Sequence, residues 1–293
     1  MNREAGTDIL FEVRNYLLGR LKRGSNILYR TEKERAHAES TKDAGSFSGS
    51  AAETAREDKG EGYMKRDHEA EKEVKVENGI RYSERGPSQD TLFEERSSGS
   101  EDKLGELDFE GLKLEVSSCA RCGLSEKRTN TVFGAGGTSS GIVFLGEAPG
   151  KNEDLQGEPF VGRAGKLLDK ILRAIDLERD EVFITNILKC RPPGNRDPKE
   201  DEISACEPYL RRQLELLNPA VICALGRVAA QNLLRSKTPL GKMRGQIHYY
   251  NGIKTIVTYH PAALLRNPHF KRPTWEDMKL LKTIYSEAKE KEL

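Results

Sequence analysis

No apolar run in this 293-residue chain reaches the length of about 18 residues that crosses a bilayer, and no basic-then-apolar leader with a small-residue cleavage site opens it. Neither membrane spanning nor secretion is therefore expected, and a cytoplasmic protein is. Aromatic residues are scarce at 6%, and hydrophobic residues reach only 36% against 32% charged. That is a lean core for a chain this long, so part of it is expected to stay unfolded. Neither sign of charge dominates, with 48 Lys and Arg facing 47 Asp and Glu. Five cysteines are an odd number and too few for a disulfide scaffold, which leaves reduced thiols acting as ligands or core residues.

What the chain does have is unevenly spread. Across residues 31–108, 13 Lys and Arg stand against 21 Asp and Glu, with many Ser and Gly and few large apolar side chains. Such a mixture cannot bury enough surface to offset chain entropy, so residues 25–108 read as a disordered linker. Setting the −8 of residues 31–108 and the +3 of the first 30 against a total of +1 leaves +6 on residues 109–293. That sign permits a polyanionic partner without establishing one. Ahead of the linker, Ile9, Leu10, Val13, Leu17, Leu18 and Leu21 share one helical stripe, with Thr7 or Asp8 placed to cap it and Gly24 to end it. Residues 1–24 therefore read as an isolated amphipathic helix that docks on its own domain, pairs with a copy of itself or recruits a protein partner.

Beyond residue 109 the pattern alternates. IVFLG (142–146), VFITNIL (182–188) and VICAL (221–225) are short β-rich runs without polar alternation, as strands buried on both faces should be. Helical stretches are expected over 163–175, over 198–217 behind Asp197 as a cap, over 227–234 and from 275 to the end, with a hairpin over 246–259 turning at Asn251-Gly252. The sum is an α/β domain over 109–293 with a central, mostly parallel sheet, whose ligand site lies beyond the carboxyl ends of its strands.

Three of those ends carry unusual residues. The first runs into GEAPG (146–150), then Asn152-Glu153-Asp154, PFVG (159–162) and RAG (163–165), a Gly- and Pro-rich loop able to bring backbone N–H groups close to a ligand or to make ordinary turns. The second ends in Asn186, whose amide offers a donor and an acceptor on one edge, suited to reading a nucleobase or to capping a loop. The third ends in His260. A lone histidine says little, but Glu147, Asn186 and His260 converging at one sheet edge point to one pocket. Cys119-Ala120-Arg121-Cys122, Cys190 and Cys206 supply four thiols on loops, suited to tetrahedral zinc or to an iron–sulfur cluster, while Cys223 sits in an apolar strand as core.

The order C-x2-C, GEAPG-x2-ED, PFVGRAG, TNILKCRPPGNRDP, a further cysteine, LG and HPAALLR resembles the family 4 uracil-DNA glycosylases, over residues 118 to the C-terminal helix. The resemblance implies a three-layer α/β/α sandwich around a mostly parallel four-stranded sheet. It also implies a [4Fe–4S] cluster on Cys119, Cys122, Cys190 and Cys206, and uracil-containing DNA as substrate. By the same resemblance Phe160 stacks on a flipped uracil, Asn186 pairs with its N3–H and O4 edge, Gly146 and Glu147 hold it, and His260 faces O2 as a hydrogen-bond donor. Glu153 stands where bulk near C5 excludes the thymine methyl. Glu147 or its neighbours orient the attacking water, although Ala148 stands where related enzymes carry an aspartate. Arg266, with Lys166 or Lys242, would contact phosphates, and a monomer is expected. Related proteins that trap the sugar covalently use a histidine after the third cysteine, and the loop 191–197 has none. The alternative reading is a non-catalytic iron–sulfur or zinc module that binds nucleic acid on the same scaffold.

Overall fold

A computed structural model describes residues 75–77, 80–82 and 101–291; the helix expected over 1–24 and most of the linker expected over 25–108 lie outside the described residues. The strands are β1 (Lys75–Glu77), β2 (Ile80–Tyr82), β3 (Ala135–Gly136), β4 (Ile142–Gly146), β5 (Phe183–Asn186), β6 (Val221–Leu225), β7 (Ile247–Tyr250) and β8 (Ile253–Thr258). They form one sheet in the order β1-β2-β7-β8-β6-β4-β5-β3. The expected four-stranded sheet is thereby corrected to eight strands. Four of them, β8, β6, β4 and β5, make the centre and run parallel, whereas β7 and β3 join antiparallel at its flanks. The additional edge strands β1, β2 and β3 span two or three residues each, too short to leave a period in the sequence.

The helices are α1 (Glu101–Glu106), α2 (Phe109–Ser117), α3 (Lys151–Gln156), α4 (Arg163–Ala174), α5 (Glu200–Leu217), α6 (Arg227–Leu233), α7 (Leu240–Met243), α8 (Pro261–Arg266) and α9 (Lys271–Lys291). Alternate strand residues face opposite ways, so each central strand feeds two cores. On one side Ile142, Phe144, Ile184, Cys223 and Ile256 pack with Leu168 and Leu172 of α4 and Met278, Leu281 and Ile284 of α9. On the other, Val143, Leu145, Phe183, Ile222 and Val257 pack with Leu210 and Leu214 of α5 and Ala229, Ala230 and Leu233 of α6. This gives the three layers and leaves the carboxyl ends of the parallel strands open to loops.

Several boundaries move. α5 begins at Glu200, and its N-terminus is closed by the Glu202 carboxylate accepting from Lys199 N (2.9 Å). Asp197, expected as the cap, instead pairs with Arg227 at 2.6 Å. α9 starts at Lys271, with Pro273 tolerated in its first turn because the N–H it lacks has no intrahelical acceptor there. The described fold also reaches back past residue 109: Leu104 of α1 is 5% exposed and packs with Leu112, Val116, Phe133 and Tyr209. Arg212 donates to Leu107 O from Nε (3.2 Å) and Nη2 (2.7 Å). A six-residue helix among acidic neighbours averages out as linker in composition alone.

Leu104→Ala is expected to destabilise the domain by about 2 kcal/mol, the low end for a buried leucine because α1 is peripheral. Urea unfolding should show a lower midpoint at unchanged slope, and an unshifted midpoint would place the start of the fold after α1.

Candidate active site

The carboxyl ends of β4 and β5 lie side by side, with Gly146 in register with Asn186. A Cβ at Gly146 would lie 2.3 Å from Asn186 Oδ1 and 2.8 Å from the Phe160 ring, so glycine is required for these three to meet. Asn186 is 1% exposed. Its Oδ1 is the buried side-chain oxygen that lacks a hydrogen-bond partner among the described residues. Leaving such an acceptor unpaired costs about 1–3 kcal/mol, which a fold tolerates where a ligand supplies the donor.

Phe160 forms the next wall. It is 6% exposed and holds φ at 53°, a conformation uncommon for a non-glycine residue. Three supports fix it there. The Glu153 carboxylate Oε1 accepts from Val161 N (3.0 Å) and Gly162 N (2.9 Å). Arg179 donates from Nη1 to Phe160 O (3.3 Å) and from Nη2 to Pro159 O, and pairs with Asp169 at 3.0 Å. Gly165 of α4 presses against the Phe160 carbonyl so closely that a Cβ there would overlap it at 1.6 Å.

His260 closes the third side, its ring centroid 5.4 Å from that of Phe160 and tilted by 31°. As N-cap of α8, its Nδ1 accepts from Ala262 N at 3.1 Å, so the neutral ring carries its proton on Nε2. Burial, aided by Arg266 and opposed by Glu153, lowers its pKa from 6.5 to about 4, which keeps it neutral near pH 7. Glu147 follows Gly146; burial and then Asp197 raise its carboxyl above the ordinary range while Arg227 pulls it down.

The four thiols expected to act together do share one place. Cys119, Cys122, Cys190 and Cys206 line one cavity with Leu124, Arg128, Leu188, Lys189 and Tyr209. Donors point at the sulfurs: Arg128 Nη1 to Cys190 (3.2 Å), Lys189 N to Cys206 (3.4 Å) and Arg121 N to Cys119 (3.5 Å). N–H groups aimed at sulfur suit thiolates that ligate a metal centre. Among the described residues, no three His, Cys, Asp or Glu side chains close around a single ion. Cys223 is buried in β6, as expected of core.

A family model described as the uracil DNA glycosylase superfamily matches residues 133–279. Type-4 uracil-DNA glycosylases of Saccharolobus solfataricus, Sulfurisphaera tokodaii and Archaeoglobus fulgidus are 48%, 47% and 47% identical over 181, 185 and 173 residues. Those stretches span 59%, 60% and 56% of this chain and 84%, 84% and 87% of the relatives. The chain belongs to the type-4 uracil-DNA glycosylase family.

In this type-4 uracil-DNA glycosylase, then, Gly146 lies against Asn186 and Phe160, His260 lies against Phe160, and Glu147 follows Gly146 at the same strand end. Glu153 braces the backbone of the Phe160 loop, and its neighbour Asp154 accepts from Thr129 N at 2.8 Å. Arg266, Lys166 and Lys242 are exposed. Sequence reasoning missed Arg179, whose guanidinium reaches the Phe160 loop from nineteen positions away. Leu265, beside Arg266 on α8, is 50% exposed.

Gly165→Ala forces α4 and the Phe160 carbonyl apart and is expected to cost about 1–3 kcal/mol. Thermal unfolding checks this, and a wild-type Tm would mean that the loop yields without strain.

Proposed function

We propose that this chain flips uracil out of DNA and hydrolyses its N-glycosidic bond, the first step of base excision repair. The unpaired Asn186 Oδ1 carries the reading, since uracil N3–H supplies the missing donor and the Asn186 amide nitrogen can donate to O4. Phe160 stacks on the base, and Gly146 leaves room for it. His260 donates from Nε2 to O2, where negative charge grows as the C1′–N1 bond breaks, so it stabilises the transition state more than the ground state. Glu147 orients the attacking water. Glu153 shapes the C5 side of the pocket through the loop it holds.

Flipping costs a few kcal/mol and leaves a gap in the stack, which Leu265 fills while Arg266, with Lys166 or Lys242, grips phosphates. The +6 carried by residues 109–293 supports that grip. Cys119, Cys122, Cys190 and Cys206 would hold a [4Fe–4S] cluster: four thiols line one cavity with N–H donors aimed at three of the sulfurs, and membership of the type-4 family favours iron over zinc. Bound there, it supplies a cross-link between three chain segments and no electron, because the hydrolysis moves none. We further read the protein as a cytoplasmic monomer in which residues 101–291 suffice for excision.

The test is incubation with a uracil-containing oligonucleotide without added metal or nucleotide, alkaline cleavage of abasic sites, and a visible absorption spectrum of the same sample. Cleavage at uracil by a brown protein is expected. An iron-loaded protein that leaves uracil in place would favour the non-catalytic binding module.

His260→Ala is expected to slow single-turnover uracil release by about 10²–10³-fold. Because the pKa of His260 lies at about 4, its neutral donor form persists throughout pH 5–8. No activity loss centred near 6.5 should appear in the wild-type profile in either direction, and one on raising the pH that vanished in His260→Ala would show that the ring works as a cation.

A further inference from the structure

Lys189 is 1% exposed, and among the described residues the charged groups acting on its ammonium are the Cys206 and Cys190 thiols rather than a carboxylate. Nζ donates to Thr185 Oγ1 (2.6 Å), Gln213 Oε1 (2.7 Å) and Asn186 O (3.0 Å), all uncharged. Burying a lysine costs several kcal/mol, and a methionine of similar length would fill the space without that penalty. What the ammonium adds is direction. The peptide unit linking Asn186 to Ile187 is gripped at both polar ends, its carbonyl by Lys189 Nζ and its N–H by Gly146 O at 3.0 Å. That grip fixes the rotation of the peptide plane and with it the line along which the Asn186 side chain leaves the backbone. The acceptors are themselves anchored, since Thr185 Oγ1 (2.8 Å) and Gln213 Nε2 (3.1 Å) both donate to Phe133 O.

The same residue faces the cysteines. Its backbone N–H donates to Cys206 Sγ at 3.4 Å, and Cys190 follows it in the chain. Its carbonyl accepts from Val132 N at 2.7 Å. The segment from Asn186 to Cys190 thus begins at the base pocket and ends at the thiols, and Lys189 is bonded toward both.

We propose that Lys189 is a positioning residue that acts through Asn186, holding the base-reading amide in place from the loop that carries the cysteine centre. This rests on the reading of Asn186 as the residue that pairs with uracil. Lys189→Met should lower single-turnover uracil release by about 10–100-fold, the range for loss of an outer hydrogen-bonded support or a displacement near 1 Å. Affinity for abasic DNA should move by less than about twofold, because phosphate contacts do not pass through Asn186. Iron content and visible absorbance per mole should match the wild type.

The deciding experiment is a double-mutant cycle with Asn186→Ala, read both as uracil release and as free-uracil binding by calorimetry. If Lys189 acts through Asn186, Lys189→Met loses nearly all its effect once the Asn186 side chain is gone. Should Lys189→Met fail to fold, Gln213→Met removes one ammonium acceptor and leaves both residues; a smaller loss that also vanishes beside Asn186→Ala supports the same role. Losses that multiply in full in the double variants, or that track loss of iron, overturn it. Wild-type protein that leaves uracil in DNA and does not bind the free base refutes the glycosylase reading itself, whereas a multiplicative cycle in active protein refutes the positioning role alone.

Discussion

An amide oxygen shut away from water without a donor sets the terms for the rest of this site. At Asn186 the penalty is about 1–3 kcal/mol, and the immediate neighbours offer no free donor. Gly146 offers no side chain, the backbone N–H groups of Ile187 and Leu188 are already given to Gly146 O and Glu147 O, and the ring of Phe160 is apolar. Placing such a group at the end of a central parallel strand, rather than on a free loop, is what prevents collapse around it. The strain is stored in a rigid frame and can be released by a ligand of matching edge.

The Phe160 loop follows from the same need. A ring that covers the amide must come from a segment unlike the strands, and that segment takes an unfavourable φ to do so. Its supports come from three directions: Glu153 from α3, Arg179 from the turn before β5, and Gly165 from α4. Each of them limits where the ring can sit. Both carboxylates of the ED pair after GEAPG accept from backbone amides, Glu153 through Oε1 and Asp154 through Oδ1.

Much of this was legible in the sequence, for reasons that differ by residue. The central strands were visible because burial on both faces demands continuous apolar runs, and IVFLG and VICAL coincide with β4 and β6. The expectation that Glu147, Asn186 and His260 share one sheet edge followed from topology, since parallel strands present their carboxyl ends on one edge. The edge strands escaped notice because two or three residues carry no period. That Glu153 holds two backbone amides of the Phe160 loop was not legible, because an acidic pair on a loop looks the same whether it faces a ligand or a peptide N–H. Arg179 was invisible because its role depends on the carbonyls of residues 159 and 160 turning toward it, and that is a fact of three-dimensional packing alone.

The chemistry of His260 shows how far local sequence can reach once the frame is known. A cationic ring in this enclosure would need a counter-charge, and Glu153, the acid whose field it feels, already shares one oxygen with two amides. Neutrality is therefore the state the fold favours, and a neutral imidazole must choose a tautomer. The choice falls to α8. Proline at position 261 has no N–H, so Ala262 provides the first amide that can reach the ring, and it claims Nδ1. The proton is left on Nε2, pointing away from its own helix as a donor that gains strength as charge builds on an acceptor. In this site the three letters HPA specify both the position of the histidine and the nitrogen that carries its proton.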